Sequence, residues 1–464
     1  MNKMRLAAGF LAACLCVTGL CACKGGRHAE NETLIIGNSP SKENNPTGYE
    51  KFMEDAKAVE KEYPDITIRS DVTRYSVDTF WSYIGSGNSA SAYLVPWTEP
   101  QKLIQKGYAK DITKQYEKSL FTGIYRDEFM KIVSDDEGHI YGVPNAVYII
   151  GMMCNVKLFK EAGLVNQDGT LKVPDTYEEL AETAGIIRQK TGKPGIAMCT
   201  NNAEGGWYFM NIAWSFGVDF VKQVGDKWYS AFNTPECVEA FRYLSDLKWK
   251  YDALPSELSL DQQEVARIWS NDEAAIVFMA EELINTSVLT YGMDRDNIAT
   301  APLPSGPKGR YALMGGNAYM LLPTVSDRAA EAFMKWVEVT KFYGDVRNTE
   351  LREKEKLLSV KEEESMGKAI FAPSIDVIAD ENIKAVDNEI YDKCSNVDSK
   401  MYRSIRGEDT ITQTEVPVCC QQLYKLLSND IIRIILADKD ANIEELVENA
   451  SDKLQREYLD KLSV

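Results

Sequence analysis

Between Gly138 and Leu164 the chain reads GHIYGVPNAVYIIGMMCNVKLFKEAGL, and few folds accept that order of local signals. Asp135, Asp136, Glu137 and Gly138 make a polar turn. After Pro144, the β-branched and aromatic run Val147 to Ile150 suits a buried strand. Asn155 stands where a following helix needs a cap, Leu158, Phe159 and Ala162 share one face, and Gly163 ends the helix. A strand that enters by a turn at Pro144 and leaves directly into a helix can carry a chain from one α/β lobe to another. This stretch is therefore expected to be the first hinge of a two-lobed protein.

The chain before it supports that reading. Leu34 to Ile36 reads as a strand, and Tyr49, Phe52, Met53, Ala56 and Val59 recur at helical spacing up to Pro64. Ile66 and Ile68 alternate as a second strand. Strand, helix, strand in that order predicts a parallel sheet with helices on its faces. Ala92 to Pro96 is a further strand, and Trp97 and Glu99 stand where it leaves the sheet, the place where open α/β sheets bind ligands. Trp97 could stack on a ligand and Glu99 accept its hydroxyl hydrogens. Equally, Trp97 could cap the core and Glu99 open a helix, favoured by the helix dipole.

Beyond the hinge, Thr176 and Glu179 have capping-box spacing for a helix running to Gly192. A strand at Gly195 to Met198 ends in Asn201 to Phe209, where Gly205 and Gly206 permit close backbone approach and Trp207 would face a cleft. At least two of Trp207, Tyr208, Phe209 and Trp214 belong to helix core. Gly225 to Asn233 reads as a short hairpin. Ala274 to Met279 is a buried strand leading to Glu281 and Glu282, with Glu281 the better ligand candidate and Glu282 a first-turn helix residue. The Pro/Gly-rich run from Ile298 to Arg310 marks a second crossing, followed by Gly315, Gly316, Asn317 and a strand. The charged residues 345 to 366 resemble nothing in particular, and from Ile370 onward the apolar stripes read as helices.

The formal charge of −18 excludes a nucleic-acid partner, which demands a basic footprint, and fits a solvated acidic surface. No nucleophile elbow, phosphate loop or zinc-protease motif is present, and only two histidines, His28 and His139, could serve as bases. Neighbouring acids such as Asp135 and Asp136 cannot flank a glycosidic bond at the about 5 to 9 Å that hydrolysis needs. Catalysis, a cofactor and a metal site are accordingly not expected. At the N-terminus, Lys3 and Arg5 precede an apolar run, Leu6 to Leu20, shorter than the roughly 20 residues of a membrane span. The sequence Leu20-Cys21-Ala22-Cys23 resembles a bacterial lipobox with Cys23 as the acylated residue. Cys154, Cys199, Cys237, Cys394, Cys419 and Cys420 would remain as small buried hydrophobes, with any pairing left open.

Taken together, YGVPNA, the extended run, Asn155, KLFKEAGL and PDTYEEL resemble the lipid-anchored family 1 solute-binding proteins of bacterial sugar ABC transporters, which include the maltose-binding proteins. The resemblance implies a two-lobed α/β fold of the type II periplasmic-binding-protein kind, each lobe a mainly parallel sheet flanked by helices and joined by extended hinge crossings. It implies a signal peptide over 1–22, a lipid-anchored tether over 23–32, a first lobe of 33–145 plus 305–345, and a second of 146–304 plus 346–464. It further implies a monomer on the outer face of the cytoplasmic membrane that captures a carbohydrate, an oligosaccharide by preference, between its lobes and delivers it to the permease subunits. Trp97, Glu99, Trp207, Glu281 and Asn317 would touch the solute, with Asn38, Asn145 and Tyr148 behind them. The family often has an Asp before the strand at residue 92, where Ser91 and Ala92 stand here. Other readings are a polyamine or polyol-phosphate binder, a ligand sensor for a membrane receptor and, last, a surface-anchored glycoside hydrolase.

Overall fold

Among the described residues eleven strands order the fold: β1 (Glu32–Ile36), β2 (Ile66–Ser70), β3 (Ala92–Pro96), β4 (Gly142–Asn155), β5 (Ile196–Ala197), β6 (Val221–Val224), β7 (Lys227–Ser230), β8 (Ile276–Ala280), β9 (Ile298–Ala301), β10 (Arg310–Leu321) and β11 (Thr410–Gln413). They come from a computed structural model that describes residues 31–43, 45–76, 79–87 and 89–462. The expected signal peptide, Cys23 and most of the tether lie outside the described residues. Among the described residues no helix is long and apolar enough to cross a membrane.

Nine strands form one sheet in the order β2-β1-β3-β10-β4-β8-β5, with β11 added on β10 and β9 on β4. β1 runs parallel to β2 and β3, as strand, helix, strand required. The two long strands do not follow that rule. β10 is antiparallel to β3 and β4, and β4 is antiparallel to β8 and β9. The strand-helix-strand rule does not govern them, because β4 and β10 pair side by side in opposite directions and are far apart in the chain. β4 pairs with β10 through Gly142 to Ile149 and with β8 from Ile150 onward. β10 pairs with β11 through Arg310 to Leu313 and with β3 from Asn317 to Leu321.

The strand that lies beside β4 is β10, which follows the Pro/Gly-rich run. That run is β9 followed by a loop in which Gly306 and Gly309 bridge; its prolines lack the N–H donors a ladder requires. The hinge helix forms at Val156–Glu161, with the Asn155 side chain accepting from the Leu158 amide at 3.0 Å. Thr176 and Glu179 make the expected capping box of the helix Tyr177–Thr191, and β6 and β7 make the hairpin.

The charged stretch that carried no reading is a helix, Thr349–Ser365, packed on Glu381–Cys394 through Val360, Ile370 and Ile390. Arg352 binds the Asp387 carboxylate at 2.8 and 2.6 Å in the same buried seam. Helix continues beyond residue 370 with one correction, β11, whose Thr410-Ile411-Thr412 alternation is short enough to be hidden by the neighbouring stripes. All six cysteines of the described residues are unpaired.

Candidate functional site

The exits of β3 and β11 face one another across β10 and enclose a cleft of about 810 Å³. One side is lined by Trp97, Thr98, Gln101, Asp127, Met130 to Ile132, Ser134 to Asp136 and Gly138; Met314 and Gly315 form its floor, and Thr414 to Pro417 close the other side. Trp97 follows β3, and its amide donates to the Gly316 carbonyl at 3.1 Å. Its indole leans on Phe129 with centroids 4.8 Å apart. A Cβ at Gly316 would fall inside that indole, and one at Gly315 inside the Tyr148 ring. The paired glycines are thus what lets two aromatic rings lie flat on the crossing strands. The Trp97 Nε1 is buried and has no hydrogen-bond partner, a cost to folding.

Trp207 lies near the start of the helix Asn202–Phe216 rather than on a strand end. Its ring is 6.2 Å from Tyr148 and 4.8 Å from Tyr208. A Cβ on Gly206 would overlap the Tyr424 backbone, and the Gly206 amide donates to Ser428 Oγ at 2.7 Å, so this helix is bolted against Cys420–Leu426. The same contact delivers Glu415. Its carboxylate accepts from the Tyr424 hydroxyl at 3.0 Å and from Trp207. Burial pushes the Glu415 carboxyl above the ordinary glutamate range, the hydrogen bonds from Tyr424 and Trp207 pull it back, Glu99 raises it and Lys102 lowers it. Burial likewise raises the Tyr148 phenol, with Glu415 and Glu282 adding to it.

The other expected contacts are placed differently. Glu99 is 2% exposed, accepts from Lys102 Nζ at 3.1 Å, and holds Tyr75, whose phenol is raised by burial first and by Glu99 second. It stands behind Trp97, at the start of the helix Pro100–Gln105, and is absent from the cleft lining. Glu281 is taken up by the chain itself, accepting from the Ser374 amide at 2.8 Å and from the Ser374 hydroxyl. It lines a separate cavity of about 180 Å³ beside Tyr148, Glu282 and Phe371. Asn145 donates to Asn317 at 2.7 Å across the point where the β4–β10 register shifts. That pair fills a β-bulge and does not line the cleft. Asn38 is an exposed left-handed residue just past β1.

The structure thus gathers Trp97, Tyr148 and Trp207 and adds Glu415, Tyr424, Lys102 and Tyr75, which the sequence reading missed. Glu415 could have been suspected from a β-branched alternation ending at Thr414-Glu415-Val416-Pro417, the same strand-then-proline grammar that marks Trp97.

Residues 43–341 match the model of the bacterial extracellular solute-binding protein family, more than half the chain. The chain belongs to that family. Its fold is shared with solved solute-binding proteins of low identity. Maltose-bound MalE3 of T. maritima is 18% identical, with 91% of this chain and 98% of that one covered and a TM-score of 0.64. The GacH receptor of Streptomyces glaucescens, solved unliganded and with acarbose, is 15% identical over 93% and 100% of the two chains, TM-score 0.65. UgpB of Mycobacterium tuberculosis, solved with glycerophosphocholine, is 16% identical over 91% and 97%, TM-score 0.63. This solute-binding protein carries Glu415, Tyr424 and the Thr349–Ser365 helix beyond the matched residues.

Proposed function

We propose that this protein is the lipid-anchored, substrate-capturing component of an ABC importer and that its solute is a carbohydrate. The observation that carries the reading is a cleft of about 810 Å³ lined by Trp97 and the Glu415 carboxylate, with Trp207 and Tyr148 packed behind Glu415. Aromatic faces suit the C–H faces of sugar rings, and Glu415 suits hydroxyl hydrogens. Asp127, Asp135, Asp136 and Glu415 outnumber Lys131 in the lining, which disfavours an anionic solute such as a polyol phosphate. In this reading the lobes, 33–145 with 305–345 and 146–304 with 346–464, exchange within β4 and β10 and close on the solute about those strands. Cys23 carries the lipid, and the closed form docks on the permease. No step of this function requires bond-making chemistry.

The test is a thermal-shift panel of mono- and oligosaccharides, polyamines, amino acids and polyol phosphates. A ligand at 100 times its Kd adds about 2.7 kcal/mol. A shift with one sugar series and no turnover is expected. Trp207→Ala should weaken that binding at least tenfold and leave the free protein's Tm within a few degrees. Product formation, or a response to polyamines alone, would displace the carbohydrate reading.

A further inference from the structure

The smaller cavity, of about 180 Å³, is walled by three rings, Tyr148, Phe371 and Tyr391, and its polar groups can be accounted for one by one. Glu281 is spent on the Ser374 amide and hydroxyl. The Asn285 side chain is spent on both backbone groups of Ala369, at 2.8 and 3.2 Å. Glu363 is met by Lys368 Nζ at 3.4 Å, and the Tyr391 hydroxyl by Lys356 Nζ at 2.9 Å. Two groups are left over. Among the described residues, the Glu282 carboxylate and the Tyr148 hydroxyl make no hydrogen bond and no ion pair. Glu282 opens the helix Glu282–Tyr291 and keeps contact with solvent, while the walls around it raise its carboxyl. Its place in the first turn suits the helix dipole, but the dipole requires no aromatic walls. Tyr148 stands between this cavity and the cleft. Its ring overlies Gly315 in the cleft floor, and the charges of Glu415 and Glu282 both act on its phenol.

A single unpaired carboxylate among aromatic faces is the chemistry that holds an ammonium, by opposite charge and by the negative faces of the rings. A neutral hydroxyl would leave that charge uncompensated, and an anion would be repelled. No lysine or arginine lines the cavity. At about 180 Å³ it is smaller than the roughly 300 Å³ at which pockets begin to take a whole ligand, so it receives an end group. We infer that this cavity is an ammonium pocket at one end of the solute site, and that the solute is an amino sugar. That the ammonium belongs to a sugar rests on the function proposed above; that the pocket takes an ammonium does not. Two of its walls, Glu363 and Tyr391, stand on the helices Thr349–Ser365 and Glu381–Cys394, beyond the family match.

Titration calorimetry of the full chain tests both halves with four probes: chitosan oligosaccharides, chitin and cello-oligosaccharides of equal length, and choline. At a pH that keeps its amines charged, the chitosan series should bind at least tenfold more tightly than the N-acetylated and hydroxyl series. Glu282→Gln should cut that preference below threefold, and Phe371→Leu, which keeps the carboxylate and takes away a ring, should lower it as well. Glu381→Gln, an exposed acid outside both cavities, should leave it intact. Equal affinity for the three sugar series overturns the inference and leaves the carbohydrate reading standing. So does a preference that survives Glu282→Gln. Binding of choline with no response to any sugar supports the pocket and overturns the carbohydrate reading, whereas silence from all four probes overturns the pocket.

Discussion

At the scale of single residues, Glu415 is the position where stability and binding meet. Its carboxylate is the acceptor for the Tyr424 hydroxyl, and Tyr424 is fully buried. Glu415→Ala leaves that hydroxyl without a partner, so urea unfolding should show a loss of about 1–3 kcal/mol, the cost of an orphaned buried polar group. Glu415→Gln keeps an acceptor oxygen and should lose less than about 1 kcal/mol. Equal losses would mean that the charge, not the acceptor, matters. A second residue-scale prediction concerns His139, whose ring nitrogen lies 3.0 Å from the Asp135 carboxylate at the cleft edge. The hydrogen bond to Asp135, then its charge, raises His139 above the usual 6.5. Whatever the pair contributes to stability is complete below pH 6.5 and is lost as pH rises through the raised value. An NMR titration should place His139 above 6.5 in the wild type and return it towards 6.5 in Asp135→Asn.

At the scale of elements, the tight crossing of the helices Asn202–Phe216 and Cys420–Leu426 depends on Gly206. Adding a methyl there drives it into the Tyr424 backbone, which cannot swing aside as a side chain would. Gly206→Ala should therefore cost about 1–3 kcal/mol, as overpacking does, measured by denaturant unfolding; a neutral outcome would show the two helices free to separate. This level also shows what could be read from sequence. Local signals gave the helix caps at Asn155 and Thr176, the strands β1 to β3, the hairpin, and Trp97 at the exit of β3, because each depends on neighbours within a few positions. Glu415 was not legible as the partner of Trp207, because the two meet across more than two hundred positions of sequence. Glu281 looked like a ligand contact for the same reason, since the hydroxyl that occupies it belongs to Ser374, 93 residues along the chain.

At the scale of the whole molecule, β4 and β10 join the two ends of the nine-stranded sheet, β10 pairing with β3 and β11 and β4 with β8 and β9. Neither lobe keeps its half of the nine-stranded sheet if the other melts. Unfolding is therefore expected to be one cooperative transition, with far-UV and near-UV circular dichroism coinciding. Two separated transitions would show that the shared strands do not couple the lobes.

The shared strands also fix an order of events. β3 finds its outer neighbour only when Asn317 to Leu321 arrive, more than two hundred residues after β3 itself has been made. Until then β3 offers an open edge, the kind of surface that pairs with other chains, and the contact that closes it is among the slowest to form. A chain threaded across a membrane from its N-terminus thus spends most of its passage without a finished first lobe. It gains one only near the end, which favours export in an unfolded state and makes truncated products the ones to aggregate.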